Sequence, residues 1–136
     1  MTDCHPAAHH LAALERDVRM VRDELDFYTI DAHYMKSELI SSKNKVTIVE
    51  GMSVTFINPD LLDLKIHFYT DDRTELMRRS SRDVVERGID IQCLRQSHEE
   101  RRIHYEVFMH PYSQHFDIVI KNSDKATYLE KNAFVF

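Results

Sequence analysis

The feature that most constrains the fold is a stretch from Leu11 to Leu39 that contains neither glycine nor proline. Apolar side chains recur in it in alternating steps of three and four residues, which is typical of a helix that packs along a narrow seam against a partner helix. The seam positions are Leu11, Leu14, Val18, Val21, Leu25, Tyr28, Ala32, Met35 and Leu39. The sequence therefore predicts a coiled-coil dimerisation helix over residues 10–42.

The residues that flank this seam favour a parallel homodimer. In that arrangement Asp17 would face Arg22 of a second copy, and Asp31 would face Lys36, so that opposite charges meet. An amphipathic helix packed on its own domain, or a helix that binds a different partner, is the alternative. A continuous helix of this length would be a rod of about 43 Å, longer than the remaining domain is wide.

After residue 44 the apolar spacing changes to two residues, which predicts strands. Residues 45–57 are interpreted as a hairpin with Gly51 in its loop, or as one long strand with a bulge at Gly51. Residues 62–70 alternate between an apolar and a polar face. Further strands are predicted at 89–94, 102–110 and 115–121, with 132–136 as a final edge strand. A helix over 73–87 is capped by Asp71 or Asp72 and ended by Gly88.

The predicted fold class is α+β: a long N-terminal coiled-coil helix followed by a small, mainly antiparallel sheet domain with one amphipathic helix. The predicted organisation has three parts. Residues 1–9 form a disordered tip, residues 10–42 form the dimerisation helix, and residues 45–136 form a small α+β interaction domain.

Composition limits the partners and the location. The net charge of -5 disfavours nucleic acid and anionic membranes as partners. No secretory signal or membrane-spanning stretch is expected, and the two cysteines, Cys4 and Cys93, do not form a secreted disulfide framework. The sequence predicts an intracellular protein, in the cytoplasm or the nucleus, with no membrane association.

No catalytic motif is found, and the two glycines, Gly51 and Gly88, are too few for a glycine-rich phosphate loop. The histidines near the N-terminus and at 104–115 are interpreted as solvated side chains, and no metal site is predicted. Asp71 is interpreted as a helix cap, since acids are common at helix N-termini. No enzyme activity and no cofactor are therefore predicted.

Two surfaces are candidates for binding. The first is a basic helix face that could contact phosphate or an acidic partner, although Glu75, Asp83 and Glu86 dilute its charge. It consists of Arg73, Arg79, Arg82 and Arg87. The second is an apolar patch on a predicted hairpin, suited to docking another protein. It consists of Phe108, His110, Tyr112 and Val119.

These observations predict a non-enzymatic scaffold or adaptor that self-associates through the coiled coil and presents paired domains to another protein of unknown identity. One alternative is a nucleic-acid-binding dimer that uses the basic helix face. The other is an enzyme or small-ligand binder with a site on the sheet, involving His104, His110 or Asp71.

Overall fold

The computed structural model describes residues 1–134 and divides the chain into two compact units. One unit is Pro6–Asp63. The other contains Met1–His5 and the chain from Leu64 onward. Within the described residues, no helix is both long enough and apolar enough to cross a membrane.

The N-terminal helix is much shorter than the predicted coiled coil. Helix α1 spans Leu11–Arg22 and ends in a Schellman motif, in which Leu25 N–H donates to the Met20 carbonyl at 2.9 Å and Glu24 N–H donates to the Val21 carbonyl at 3.1 Å. Glu24 has φ +57°, in the left-handed region that favours glycine. The prediction of a helix to residue 42 is wrong because a glutamate, which gives no stop signal in the sequence, ends the helix.

The seam residues within α1 pack inside their own unit. Val18 forms a small buried core with Ile57 and Leu61, and Leu11 and Leu14 lie partly buried against it. This is the alternative of an amphipathic helix packed on its own domain, realised over the twelve residues of α1.

The seam residues beyond α1 are not helical. Strand β1, Phe27–Tyr28, pairs antiparallel with β2, Leu39–Ile40. Ala32 and Met35 form an isolated antiparallel bridge between these strands. The apolar spacing beyond residue 25 therefore belongs to a β-hairpin, which needs no partner helix.

The predicted hairpin at 45–57 is wrong. Residues 45–50 form no regular structure, and Met52–Phe56 and Pro59–Leu61 are short 3-10 turns. A further 3-10 turn, Pro6–Ala8, precedes α1. Val46 and Ile48 are 77% and 84% exposed, so their alternation does not reflect burial on one face of a sheet.

The second unit is built on a three-stranded sheet in the order β3–β4–β5. The strands are Ile66–Tyr69, Ile118–Asn122 and Thr127–Asn132. Strands β3 and β4 are parallel, whereas β4 and β5 are antiparallel. The predicted mainly antiparallel domain is wrong, because a helical crossover joins β3 to β4. The predicted edge strand at 132–136 overlaps β5 only at Asn132, and its last two residues lie outside the described part.

The crossover contains two helices. Helix α2, Asp72–Arg79, continues as π-helix over Ser80–Glu86. Asp71 caps α2 by accepting from Thr74 N–H at 2.9 Å, and Gly88, at φ +69°, follows the end of the helical segment. The prediction of a capped helix over 73–87 is confirmed.

Helix α3, Ile91–His104, continues as π-helix over Tyr105–Met109 and as a 3-10 turn over His110–His115. The strands predicted at 89–94 and 102–110 are therefore wrong. Asp90 starts the helix by accepting from the N–H groups of Gln92 and Cys93, at 2.8 and 3.1 Å. This cap and the helix-forming residues that follow it outweigh the period-two alternation after residue 102.

The buried face of β3 is the one that the sequence marks as polar. His67 is buried, with its ring centroid 5.1 Å from that of Phe116 and 6.4 Å from that of Tyr105. Ile66 and Phe68 point to the opposite, exposed face. Since neighbouring residues of a strand face opposite ways, the burial of His67 goes together with the exposure of Ile66 and Phe68.

Candidate functional site

A buried carboxylate surrounded by guanidinium groups lies in the π-helical continuation of α2. Asp83 is 4% exposed. Arg82 donates to it through Nε at 2.7 Å and Nη2 at 3.2 Å, and Arg87 donates through Nη1 at 3.4 Å. Arg79 Nε lies 3.5 Å from its second oxygen. We call Arg79, Arg82 and Arg87 the arginine cluster.

The arginine cluster is charged at neutral pH. The hydrogen bond from Arg82 lowers the pKa of Asp83, although its burial acts in the opposite direction, and the charges of Arg82, Arg87 and Arg79 lower the pKa further. The same hydrogen bond raises the pKa of Arg82. Asp83 therefore lies among three cations, and Glu86 of the same segment adds a second negative charge that acts on Arg82.

The guanidinium groups of the arginine cluster contact Asp83 on their inner side, and those of Arg82 and Arg87 are exposed to solvent on their outer side. The side chains of Arg82 and Arg87 are 54% and 61% exposed, although both contact the buried Asp83. Arg79 donates from Nη2 to Ser97 Oγ at 3.2 Å, and its buried Nη1 has no hydrogen-bond partner within the described residues. Exposed guanidinium edges can bind phosphate oxygens in a bidentate manner.

A second charged network connects α2 to α3. Glu75 accepts from Arg101 Nε at 2.7 Å and from Arg102 Nη1 at 3.1 Å. The buried His98 lies with Nε2 at 2.9 Å from Asp72 Oδ1. These contacts join α2 to α3, and the arginine cluster lies on α2 and its π-helical continuation.

A cleft of about 520 Å³ lies at the carboxyl ends of β3 and β4. It is lined by Asp71, Lys121, Ser123, Tyr128, Leu129 and Glu130. In open sheets with parallel strands, ligands bind outside the carboxyl ends of the strands. The cleft is open to solvent, and its lining is mainly polar and charged.

The structure brings together three of the four residues of the predicted basic face. Arg79, Arg82 and Arg87 meet at Asp83, whereas Arg73 is exposed in the first turn of α2 and is not part of the cluster. From the sequence, Asp83 is expected only to dilute the positive charge. The spacing could have revealed its role, since residues 79, 83 and 87 are four apart and lie on one side of a helix.

The predicted protein-docking patch is dispersed. Val119 is 7% exposed and pairs with His67 in the sheet. Phe108 lies on the helical segment after α3, with its ring centroid 4.5 Å from that of His5. Its two other members, His110 and Tyr112, are exposed in the 3-10 turn that follows.

The residues proposed for the sheet-site alternative do not all meet at one place. Asp71 caps α2 and also lines the cleft, whereas His104 lies with Nδ1 at 2.9 Å from Thr2 Oγ1. Burial raises the pKa of the Cys4 thiol. Among residues 1–134, no group of three or more histidine, cysteine or acidic side chains is arranged to hold a metal ion.

Comparison with known proteins identifies the class. A parallel strand pair joined by a helical crossover defines an α/β unit. The sequence profile of the Phosphoribulokinase / Uridine kinase family matches residues 5–127. The chain belongs to this family.

Individual relatives agree with this assignment. The chain is 32% identical to uridine kinase of Ligilactobacillus salivarius over 128 residues, which covers 85% of this chain and 58% of that protein. It is 29% identical to uridine kinase of Halobacterium salinarum over 125 residues, covering 85% and 55%. Chloroplastic phosphoribulokinase of Arabidopsis thaliana is 29% identical over 79 residues, covering 57% and 20%. The chain thus spans little more than half the length of the uridine kinases.

These matches overturn the predicted function. The predictions of a non-enzymatic scaffold or adaptor, and of a coiled-coil homodimer that docks another protein, are wrong, because the chain belongs to a family of kinases. The alternative of an enzyme or small-ligand binder agrees better with the comparisons. The lack of a glycine-rich loop does not exclude phosphate chemistry, since arginine side chains also bind phosphate.

Proposed function

We propose that this chain is the arginine-bearing part of a uridine-kinase-like phosphotransferase, in which the arginine cluster holds the phosphate groups of the nucleotide donor. Family membership supports the reaction class. The observation that carries the proposal is the convergence of three guanidinium groups on buried Asp83, with Arg82 and Arg87 exposed to solvent.

The chemistry of phosphoryl transfer suits such a cluster. In the transition state, negative charge is spread over the oxygens of the transferred group, and catalysis consists mainly of positioning and electrostatic stabilisation. Arginine remains protonated at any physiological pH and offers a planar fork of donors. The arginine cluster would therefore bind the donor phosphates and stabilise the charge that develops during transfer.

We infer that the cleft beside β4 receives the nucleoside part of a substrate. Lys121 and Ser123 lie at the carboxyl end of β4, and Tyr128 on β5 provides an aromatic face. The relatives that match most of the chain are named uridine kinases, which supports a nucleoside as the phosphate acceptor. A cytoplasmic location is part of this proposal, because nucleotides are made inside the cell. Bacterial and archaeal relatives give no support for a nuclear one.

The proposal is tested by measuring binding of inorganic tripolyphosphate to the 136-residue chain by calorimetry. Each charge-assisted hydrogen bond contributes about 1.5–3 kcal/mol, so Arg82→Ala is expected to weaken binding by roughly tenfold or more. Arg73→Ala is the matched control, since it removes the same charge from α2 outside the arginine cluster. Equal weakening by both variants would mean that only net charge matters, and would refute the proposed site.

Phosphoryl transfer is measured separately. Transfer from ATP to uridine, followed by separation of the nucleotides, tests the acceptor implied by the names of the relatives. Binding of tripolyphosphate without affinity for uridine would support the phosphate site and contradict the proposed acceptor.

A further inference from the structure

We propose that Asp83 is a positioning residue for the arginine cluster. Its buried carboxylate would hold the inner edges of the guanidinium groups, so that their outer edges are presented to a polyphosphate. This inference rests on the proposed function and names a further residue on which the phosphate site depends.

Both oxygens of the Asp83 carboxylate are engaged. Oδ1 accepts from Arg82 Nε at 2.7 Å and from Arg87 Nη1 at 3.4 Å. Oδ2 accepts from Arg82 Nη2 at 3.2 Å and lies 3.5 Å from Arg79 Nε. The contact with Arg82 is bidentate, and this geometry fixes the plane of the guanidinium group as well as its position.

The backbone around Asp83 is also fixed. The Asp83 carbonyl accepts from Ile89 N–H at 3.0 Å, and the Val84 carbonyl accepts from Gly88 N–H at 3.1 Å. Gly88 adopts φ +69°, so the chain turns away directly after Arg87. The carboxylate and the last arginine of the cluster are therefore held in one closed helix end.

A buried acid among arginines could act in two opposite ways. As an internal competitor, Asp83 would occupy the donors and weaken the binding of an external anion. As a positioning residue, it would strengthen binding by ordering the arginines beforehand. The structure favours positioning, because each guanidinium has five N–H donors and the exposed Arg82 and Arg87 use only some of them on Asp83.

The two roles predict opposite changes in affinity. Asp83→Asn keeps the shape of the side chain but removes its charge and the carboxylate that accepts from Arg82 and Arg87. We expect the Kd for tripolyphosphate to rise by roughly five- to tenfold, because two long side chains must then be ordered on binding. Electrostatics alone predicts a lower Kd, since Asp83→Asn makes the site more positive by one charge.

Glu86→Gln is the matched control. Glu86 lies in the same π-helical segment, is exposed, and carries the same charge. Its replacement should leave the Kd unchanged or lower it slightly. Nitrogen NMR of the arginine side chains adds a readout that general destabilisation would not move. The Arg82 Nε signal should shift more in Asp83→Asn, which removes its acceptor, than in Glu86→Gln, which removes only a nearby charge.

A second variant covers the case in which Asp83→Asn does not fold. Asp83→Glu keeps the charge and moves the carboxylate by one methylene, so a severalfold rise in Kd would be due to geometry alone. Glu86→Asp is its control. Unchanged or tighter binding in the Asp83 variants, with wild-type binding intact, would overturn the inference and leave the proposed function standing. Failure of the wild-type chain to bind tripolyphosphate would overturn both.

Discussion

The replacement of Glu24 by glycine should stabilise the protein. Glu24 occupies the position after the last residue of the α1 cap, at φ +57°, where a side chain crowds its own backbone. This conformation costs a non-glycine residue about 1–2 kcal/mol. Glycine avoids that cost but loses about 0.4–1 kcal/mol through its greater freedom in the unfolded chain. The expected net gain is about 0.5–1 kcal/mol.

The same substitution has the opposite effect if the helix continues. Within an uninterrupted coiled coil, glycine at this position would cost about 1 kcal/mol relative to glutamate. Because the two structures predict effects of opposite sign, the experiment distinguishes the Schellman motif after α1 from the long helix that the heptad spacing predicts.

Urea unfolding followed by circular dichroism measures the effect. With a slope of about 2 kcal/mol per molar, the expected gain moves the midpoint upward by roughly 0.3–0.5 M. Asp23→Gly is the matched control. Asp23 has φ -84° and ψ 5°, so glycine relieves no strain there and should lower the stability by about 0.5–1 kcal/mol. A loss of stability in both variants would refute the helix end described for α1.

Two further predictions test the second unit. Asp90→Ala should lower the free energy of unfolding by about 1 kcal/mol, because it removes the side chain that accepts from Gln92 and Cys93 at the start of α3. In urea unfolding, the control Glu99→Ala within the helix should change the stability little. Equal stability of both variants would contradict the cap. Burial lowers the pKa of His67, so its contribution to stability is complete above the unfolded pKa of about 6.5 and is lost as the pH falls below it. His67→Phe should therefore flatten the change in thermal midpoint between pH 7.5 and 5, whereas the exposed-site variant His33→Asn should keep it.

The elements predicted correctly are those whose signals are local. The capped helix over 73–87 could be predicted because Asp71 and Gly88 act within one turn of the backbone they satisfy. The end of α1 could not be predicted, since Glu24 adopts a conformation that its residue type disfavours. Packing elsewhere in the unit, such as the burial of Val18 against Ile57, offsets the free-energy cost of this backbone conformation.

The α3 region shows how two local signals compete. Alternating apolar residues after position 102 favour a strand, whereas the Asp90 cap and the glutamine, arginine and glutamate residues that make up most of 92–102 favour a helix. Once a helix has started, each further residue adds a hydrogen bond at little entropic cost, so the helix propagates into the alternating segment. A prediction that treated the polar run as a connection could not include this cooperativity.

The candidate site illustrates the difference between net charge and local arrangement. A net charge of -5 gives no general attraction for a long nucleic acid, whose binding depends on many phosphate contacts. A compact polyphosphate needs only a few cations at fixed positions. Asp83 removes one charge from the helix face, yet it contacts all three arginines of the cluster. The acidic residues that argue against a nucleic-acid surface are thus compatible with the proposed phosphate site, and one of them, Asp83, lies at the centre of the arginine cluster.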